Sequence, residues 1–239
     1  MLSALVLFIL NVFLGLLVHV INHNASHHPI FKRESHNDWA FFYLSWLMGI
    51  PAAPIAASHI HNHHVHNNNE SDWMRSTVLG STRGANRLAK YLLHVFTLPK
   101  LSMHSGNGNI PRSLWVRMRT ETKIVAFVLC LMFALNPLAT ILFYVLSRLT
   151  SMSLLFLINL VQHDGLENDL GVNRCRNFVS PLGNFLMFNN GFHSAHHLRP
   201  GAHWSEYPAI HQSLVASELR DELMQRSLFA YIFRQYLWV

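Results

Sequence analysis

Residues 193–197 read His193-Ser194-Ala195-His196-His197, and this short stretch governs the interpretation of the whole sequence. Its three histidines are three and four residues apart, so an α-helix would place their imidazole rings on one face. Imidazole is the commonest protein ligand for transition metals and suits iron, zinc and copper. The stretch therefore predicts a helix that presents several metal ligands to one site.

Three more histidine clusters precede this stretch. The chain has 18 histidines in 239 residues, and most of them fall in the four clusters. The other three clusters are His23-Asn24-Ala25-Ser26-His27-His28, His59-Ile60-His61-Asn62-His63-His64-Val65-His66 and Gln162-His163. A structural zinc needs only four ligands, usually including cysteine, so this many imidazoles predict two metal ions that activate oxygen or water. Because the clusters contain few carboxylates, iron, zinc or copper is favoured over calcium or magnesium.

The composition favours a membrane protein. Apolar residues make up 51% of the chain and charged residues only 13%, whereas soluble domains carry roughly 25% charged residues. The net charge of +6 comes largely from basic residues between Arg83 and Lys123. We interpret it as the positive charge of cytosolic loops, and we expect no nucleic acid partner. Two cysteines provide neither a disulfide framework nor a CxxC zinc motif.

Two apolar runs flank the first histidine cluster. Leu2 to Ile21 carries no charge and is long enough to span a bilayer. It lacks the basic start of a signal peptide. Ala40 to Ala57 contains Pro51 and Pro54, which interrupt a helix. We therefore predict an in-plane or re-entrant segment, which keeps the first two histidine clusters on one side of the membrane.

A third apolar run, Ile124 to Val161, is nearly twice the length of one crossing. It predicts a helical hairpin. Asn136-Pro137 is the stronger turn signal, and Ser147 to Ser151 is the alternative, which would move Arg148 out of the hydrocarbon. Either turn returns the chain to the cytosolic side at His163.

The remaining segments are polar or mixed. His66 to Lys123 is expected to be cytosolic and includes a Gly/Asn-rich loop at Ser105 to Asn109. Leu198 to Val239 predicts a cytosolic cap with a membrane-surface helix. No repeat or linker marks a second domain. We therefore predict one domain, 1-239, with an all-α fold: an integral membrane helical bundle with a cytosolic helical cap carrying a His-rich di-metal site.

Several side chains outside the main clusters also have an expected role or position. One of Asp164, Glu167 and Asp169 could orient a ligand imidazole, since metal-bound histidines usually donate their other N–H to a carboxylate or carbonyl. Four isolated histidines are expected to lie in loops or on the surface: His36, His94, His104 and His211.

The clusters resemble the histidine boxes of the membrane fatty acid desaturase superfamily. His23 to His28 resembles the first box, and Asn189 to Pro208, which contains the opening stretch, resembles the last box most specifically. Asn159 to Gly165 is similar to the end of the family's last transmembrane helix. The resemblance covers nearly the whole chain, although only one span precedes the first box where the family usually has a two-helix hairpin.

The resemblance implies a set of metal ligands. These are His23, His27, His59, His63, His64, His163, His193, His196 and His197, with Asn159 binding through water. The second box departs from the usual H-x-x-H-H pattern, because Ile60 stands where a histidine is expected. The upstream ligand is then His59 or His61, and we favour His59. Its H-x-x-x-H-H spacing resembles that of membrane alkane hydroxylases.

The family resemblance also implies a reaction. It predicts a membrane-bound non-haem di-iron oxygenase with two iron ions and O2 as co-substrate, which desaturates a fatty acyl chain and has no catalytic residues separate from the metal ligands. Its partners would be the lipid bilayer and a separate electron donor of ferredoxin, rubredoxin or cytochrome type. Hydroxylation, acetylenic bond formation and oxidative decarboxylation are alternatives at the same site. A membrane metal-binding or transport protein and a zinc hydrolase are alternatives of other classes.

Overall fold

The computed structural model describes residues 2–104 and 110–238, without the side chains of residues 98–104. The predicted loop Ser105 to Asn109 and the side chain of His104 lie outside this description. The helices are α1 (Leu2–His27), α2 (Glu34–Met48), α3 (Ala53–Ser58), α4 (His64–His66), α5 (Gly84–His104), α6 (Arg112–Leu135), α7 (Pro137–Ala139), α8 (Ser147–His163), α9 (Pro181–Leu186), α10 (His193–Leu198), α11 (Tyr207–Ile210) and α12 (Leu228–Ile232). The described part is mostly helical, which confirms the predicted fold class.

Short irregular elements link or extend these helices. Turns of π-helix follow α3, α7, α11 and α12, at His59–His63, Thr140–Leu146, His211–Val215 and Phe233–Leu237. Turns of 3₁₀-helix lie at Thr77–Leu79, Gly171–Arg174, Trp204–Glu206 and Asp221–Leu223. Two short strands, β1 (Asn177–Phe178) and β2 (Met224–Gln225), form a parallel pair in which Asn177 faces Met224.

Two described helices are long and apolar enough to cross a membrane. They are Leu2–His27 and the helix that runs through Pro137–His163. The first contains the predicted apolar run and confirms that it forms one helix of sufficient length. Glu34–Met48 and Ala53–His66 form a pair that passes the same test together but is bent by 101°, as in a broken span or a re-entrant loop. The proline-containing run is therefore bent, as predicted.

The run predicted to form a hairpin is broken at Asn136 and Pro137, and of the two described helices on either side of the break only Pro137–His163 is long and apolar enough to cross a membrane. Helix α6 ends at Leu135, and Asn136 caps the next helix by accepting a hydrogen bond from the Ala139 amide at 3.0 Å. Pro137 occupies the first helical position, where its missing N–H has no effect. The alternative turn at Ser147 to Ser151 is wrong, since those residues are helical, and Arg148 lies inside this helix.

Met1–Ala57 and Asn109–Leu155 form one compact unit. In it, Arg148 donates from Nη1 to the carbonyl of Asn11 at 2.9 Å. The α1 backbone approaches closely here, since a Cβ on Gly15 would lie 2.7 Å from both Arg148 and Ser151. The buried Glu121 accepts from the Ala53 amide at 2.7 Å at the start of α3. Backbone groups thus form hydrogen bonds with one charged side chain of α6 and one of α8.

Ser58–Gly108 and Phe156–Val239 form the second compact unit. One of its cores gathers Ala195, Tyr207 and Val215 around α10 and α11. Another packs Tyr91 of α5 against Leu160 of α8. These cores hold the last part of α8 and the whole of α10 in place within this unit.

The second unit ends with α12 and the π-turn Phe233–Leu237 that follows it. The buried Tyr236 donates from its hydroxyl to Asp164 Oδ2 at 2.6 Å. In the same segment, Phe229 is 79% exposed, and Trp238, directly after the last turn, is 76% exposed. An exposed aromatic face is typical of a helix at a membrane surface, and the membrane-surface helix stays a prediction.

Candidate metal centre

The second unit gathers seven histidines into two groups. The first histidine group consists of His59, His64 and His196, and the second consists of His63, His163, His193 and His197. Most of these side chains are buried, and His63 is 0% exposed. Burying so many imidazoles away from water is unfavourable unless their nitrogens find partners.

The ring nitrogens within each group face one another. In the first group, His64 Nε2 lies 3.0 Å from His59 Nε2 and 2.9 Å from His196 Nε2, and the last two nitrogens are 3.4 Å apart. In the second group, His163 Nε2 lies 3.1 Å from His63 Nε2 and 3.0 Å from His193 Nε2. Each group thus presents a converging set of nitrogen lone pairs.

These separations fit metal ligation. Two nitrogens bound to one ion at about 2.1 Å, with bond angles between tetrahedral and octahedral, lie about 3.0–3.4 Å apart. The measured separations of 2.9–3.4 Å fall in or next to this range. His197 Nε2 adds a second observation, because it is buried with no hydrogen-bond partner in the described part of the chain. A bound cation would satisfy it.

A π-turn shapes the second box. His59–His63 is a turn of π-helix, and the His64 amide bonds back to the carbonyl of His59, five residues earlier. Such a turn is wider than an α-turn by one residue. It therefore brings His59 and His64 together despite the extra residue in the H-x-x-x-H-H spacing. Turns of this kind are frequent at functional sites.

The last box is an ordinary α-helical turn. Helix α10 begins at His193, so His193, His196 and His197 stand on one side of it. His196 belongs to the first group, while His193 and His197 belong to the second. The groups adjoin, because the His64 ring stacks on His197 with centroids 4.4 Å apart. The arrangement can hold two ions side by side.

An outer layer of hydrogen bonds orients the imidazoles. His63 Nδ1 lies 2.6 Å from Asp72 Oδ2, and His196 Nδ1 lies 2.9 Å from the Tyr207 hydroxyl. His197 Nδ1 lies 3.2 Å from Asn67 Oδ1. A hydrogen bond at Nδ1 fixes the tautomer and leaves Nε2 free to bind metal. Each of these three imidazoles thus has its outer nitrogen bound and its inner nitrogen directed into a group.

The charges of this layer also suit a cation. Burial alone would raise the pKa of Asp72, but the attraction and hydrogen bond of His63 and the amides of Met74 and Asn68 lower it to about 2. Burial lowers the pKa of His197 well below its ordinary value, and the neighbouring histidines lower it further. An ionised carboxylate therefore stands behind His63, and His197 is a neutral imidazole.

The loop after the second box supplies much of this layer. Asn67 and Asn68 adopt left-handed backbone conformations, with φ of 47° and 66°, which asparagine tolerates better than most residues. Asn67 Nδ2 donates to the carbonyl of His64 at 2.8 Å, and Asn68 Nδ2 donates to that of His163 at 3.2 Å. The loop thus connects the second box to the end of α8.

The remaining predicted ligands are His23, His27 and Asn159. His23 and His27 end α1 in the first unit, with ring centroids 5.3 Å apart. Asn159 Nδ2 donates to the Tyr91 hydroxyl at 2.9 Å, and its role as a water-mediated ligand stays a prediction. Among the described residues, His61 is in neither group.

The carboxylates after His163 bind elsewhere. Asp164 pairs with Arg87 and accepts from Tyr236, Glu167 accepts from Ser76 at 2.5 Å, and Asp169 pairs with Arg220 at 2.6 Å. The prediction that one of them orients a ligand imidazole is therefore wrong, because Asp72 does so. His94 and His211 are buried, so their assignment to the surface is also wrong.

Sequence reasoning missed three residues of the outer layer. Asp72 and Asn67 lie in the Asn-rich segment directly after the second box, and Tyr207 lies in the flank of the last box. The polar segment Asn67 to Asp72 next to a histidine box was the available signal. Its meaning depends on pairing across the fold, which spacing along the chain does not reveal.

The described part of the chain is mostly helical, has candidate membrane spans and gathers buried imidazoles into two adjoining groups that could hold metal ions. The family model described as "Fatty acid desaturase" matches residues 1–228. The chain therefore belongs to the fatty acid desaturase family and is an enzyme of that family. No curated protein and no solved structure matches it significantly.

Proposed function

We propose that the protein is a membrane-bound non-haem di-iron oxygenase that uses O2 to desaturate a fatty acyl chain. The observation that carries this proposal is the pair of adjoining imidazole groups in a member of the desaturase family. Imidazole nitrogen suits iron. When bound, two reduced iron ions would supply the O2 activation needed to remove hydrogen from an unactivated C–H bond.

The proposed ligands come from all four histidine clusters. They are His59, His64 and His196 in the first group, His63, His163, His193 and His197 in the second, and His23, His27 and the water-bridged Asn159 by their motifs. The histidines act as ligands rather than as acids or bases. The chain's own contribution is to hold these nitrogens in place and to keep water away from them by burial.

The proposal includes partners and an orientation. Electrons would come from a separate ferredoxin, rubredoxin or cytochrome, since the sequence contains no CxxC iron–sulfur motif. The histidine clusters would face the cytosol, because the basic segment from Arg83 to Lys123 fits the positive-inside rule. We propose that residues 1-239 act as a single functional domain.

Hydroxylation of the acyl chain is the second candidate. The H-x-x-x-H-H spacing of the second box favours it, because this spacing resembles that of membrane alkane hydroxylases. The π-turn accommodates the spacing and places His59 Nε2 3.0 Å from His64 Nε2. Both reactions begin by removing hydrogen from the same class of substrate. They differ in whether a second hydrogen leaves or oxygen is added.

Product analysis by mass spectrometry tests the proposal. Membranes containing the chain, or its His196→Ala variant, would receive acyl substrates, O2 and a reduced ferredoxin. A product two mass units lighter and absent from the variant supports desaturation. A product sixteen units heavier moves the assignment to hydroxylation. Bound metal without any oxygen-dependent product contradicts both and favours a metal-binding or transport role.

A further inference from the structure

We propose that Asp72 is a positioning residue for the metal ligand His63. Because of this contact, the second histidine group retains its ion more tightly than the first group, in which Tyr207 makes the corresponding contact with His196. The inference rests on the proposed function only in requiring that both groups bind metal. It predicts an order of metal loss that the desaturase assignment does not contain.

The Asp72 carboxylate is held rigidly. It is 0% exposed, and Oδ2 lies 2.6 Å from His63 Nδ1 and accepts from the Asn68 amide at 2.7 Å. Oδ1 accepts from the Met74 amide at 2.8 Å. With both oxygens bound, the carboxylate cannot rotate away. His63 must therefore carry its proton on Nδ1 and present the lone pair of Nε2 to the second group.

The same loop supports a second ligand of this group. Asn68 donates from Nδ2 to the backbone carbonyl of His163 at 3.2 Å and receives the Ser76 amide on Oδ1 at 2.9 Å. The loop is anchored to the second box as well, because Asn62 Oδ1 accepts from the Trp73 amide at 2.7 Å. His63 and His163, whose Nε2 atoms are 3.1 Å apart, are thus braced by one polar loop.

In the first histidine group, the contact that corresponds to the His63–Asp72 hydrogen bond has a neutral partner and is weaker. His196 Nδ1 lies 2.9 Å from the Tyr207 hydroxyl, a neutral phenol. Hydrogen bonds to an ionised partner are shorter and roughly twice as strong as neutral ones. A carboxylate also makes the imidazole more basic and adds a negative charge that attracts the cation. Asp72 therefore strengthens metal binding more than Tyr207 does.

Two variants of nearly unchanged size test this difference. Asp72→Asn removes the charge, and Tyr207→Phe removes only the phenol hydroxyl. Each purified protein, loaded with iron, would be titrated with a chelator while metal per chain is measured. We expect Asp72→Asn to lose one of its two ions at a chelator activity about 10–100-fold lower than wild type, as for other partners of metal-bound histidines. Tyr207→Phe should shift metal loss by less than about tenfold.

Two further measurements separate positioning from structural support. The thermal midpoint of the metal-free protein measures structural support, and it should fall for Asp72→Asn, because an oxygen that accepts a backbone amide becomes an NH2 group. Positioning is measured separately by the two ions: Asp72→Asn should release the less tightly held ion at the wild-type chelator activity, whereas a general loss of structure would release both ions earlier. If Asp72→Asn does not fold, Asp72→Glu is used, which retains the charge but displaces the carboxylate from His63 Nδ1. It should lose the more tightly held ion at a lower chelator activity than wild type, and metal loss identical to that of wild type would overturn the proposal. Equal shifts for Asp72→Asn and Tyr207→Phe, or loss of the more tightly held ion from Asp72→Asn at the wild-type chelator activity, would overturn the proposal.

The outcome is distinguishable from failure of the proposed function. A wild-type protein that holds two ions but yields no oxygen-dependent product refutes the oxygenase assignment, while the order of metal loss still supports or overturns the role of Asp72. A wild-type protein that binds no metal at all overturns both.

Discussion

The second and last histidine boxes perform the same task with different backbones. The second box, from His59 to His64, has a π-turn, whereas the last box, from His193 to His197, is α-helical. The second box gives two ligands to the first group and one to the second, and the last box reverses this division. Both boxes are therefore shared between the two groups.

The difference shows how a fixed set of ligand positions can tolerate a change in sequence spacing. One extra residue would rotate a histidine by about 100° around an α-helix. The i→i+5 bond from the His64 amide to the His59 carbonyl absorbs that residue. Ligand geometry, rather than box length, is the quantity that the two segments have in common.

The largest expected effect comes from His196→Ala, because His196 is the one ligand that the last box contributes to the first group. His196→Ala should lower activity by more than about 100-fold, since even the outer partners of ligand histidines are worth about 10–100-fold. The protein should still assemble in membranes. The measurement is product formation together with metal per chain. Turnover near that of wild type would remove the last box from the site.

The second prediction tests the π-turn. His59→Ala should reduce turnover by more than about tenfold, because His59 Nε2 lies 3.4 Å from His196 Nε2. His61→Ala is the matched control, and its turnover should stay within about twofold of wild type, because the half-buried His61 is in neither group and a substitution away from such features has a small effect on stability. Parallel turnover assays decide the ranking. The reverse order would show that the second box uses His61 and that its backbone is not π-helical in this role.

The third prediction concerns the segment that leads into the last box. A Cβ on Gly191 would collide with the Phe178 carbonyl and lie 2.6 Å from Asn184 Oδ1. Gly191→Ala should therefore lower the free energy of unfolding by about 2–3 kcal/mol. Gly201→Ala is its control, with nothing within 4 Å of the new Cβ, and should change it by less than about 0.5 kcal/mol. Denaturation of both variants in detergent provides the measurement, and equal stabilities would refute the close packing.

The smallest expected effect concerns the segment that leaves the second box. Asn67→Gly keeps the left-handed backbone at φ 47° but removes the side chain that contacts His197 and the His64 carbonyl. It should lower the free energy of unfolding by about 1 kcal/mol. Asn67→Ala should lower it by about a further 1 kcal/mol, because alanine resists that conformation. An alanine variant as stable as the glycine variant would contradict the backbone argument.

Much of the fold could be predicted because it depends on local pattern. The lengths of the apolar runs predicted α1 and the long helix that ends at His163, and Asn136-Pro137 predicted the break before that helix. The four histidine clusters likewise predicted a metal centre, since the spacing of a box fixes which rings share a helix face. The π-turn was not predicted, because nothing in the letters His59 to His64 distinguishes it from an α-turn.

The outer layer of the site could not be predicted because it depends on contacts across the fold. Asp72 lies nine residues from His63 and meets it only when the intervening loop folds back. His94 was expected at the surface but binds the carbonyl of Trp73 at 3.0 Å. Polar side chains near a metal site and polar side chains in a solvated loop look the same in sequence until their partners are known.

The hydroxyl of Tyr236 has a practical consequence for anyone handling this chain. Together with Arg87 it holds Asp164, the residue directly after the proposed ligand His163. The family match ends at residue 228, so a shortened chain chosen by that boundary keeps every histidine and still loses this hydrogen bond. A chain that ends at residue 228 would retain every proposed histidine ligand, but it would lack the Tyr236 hydroxyl that helps to hold Asp164 next to His163.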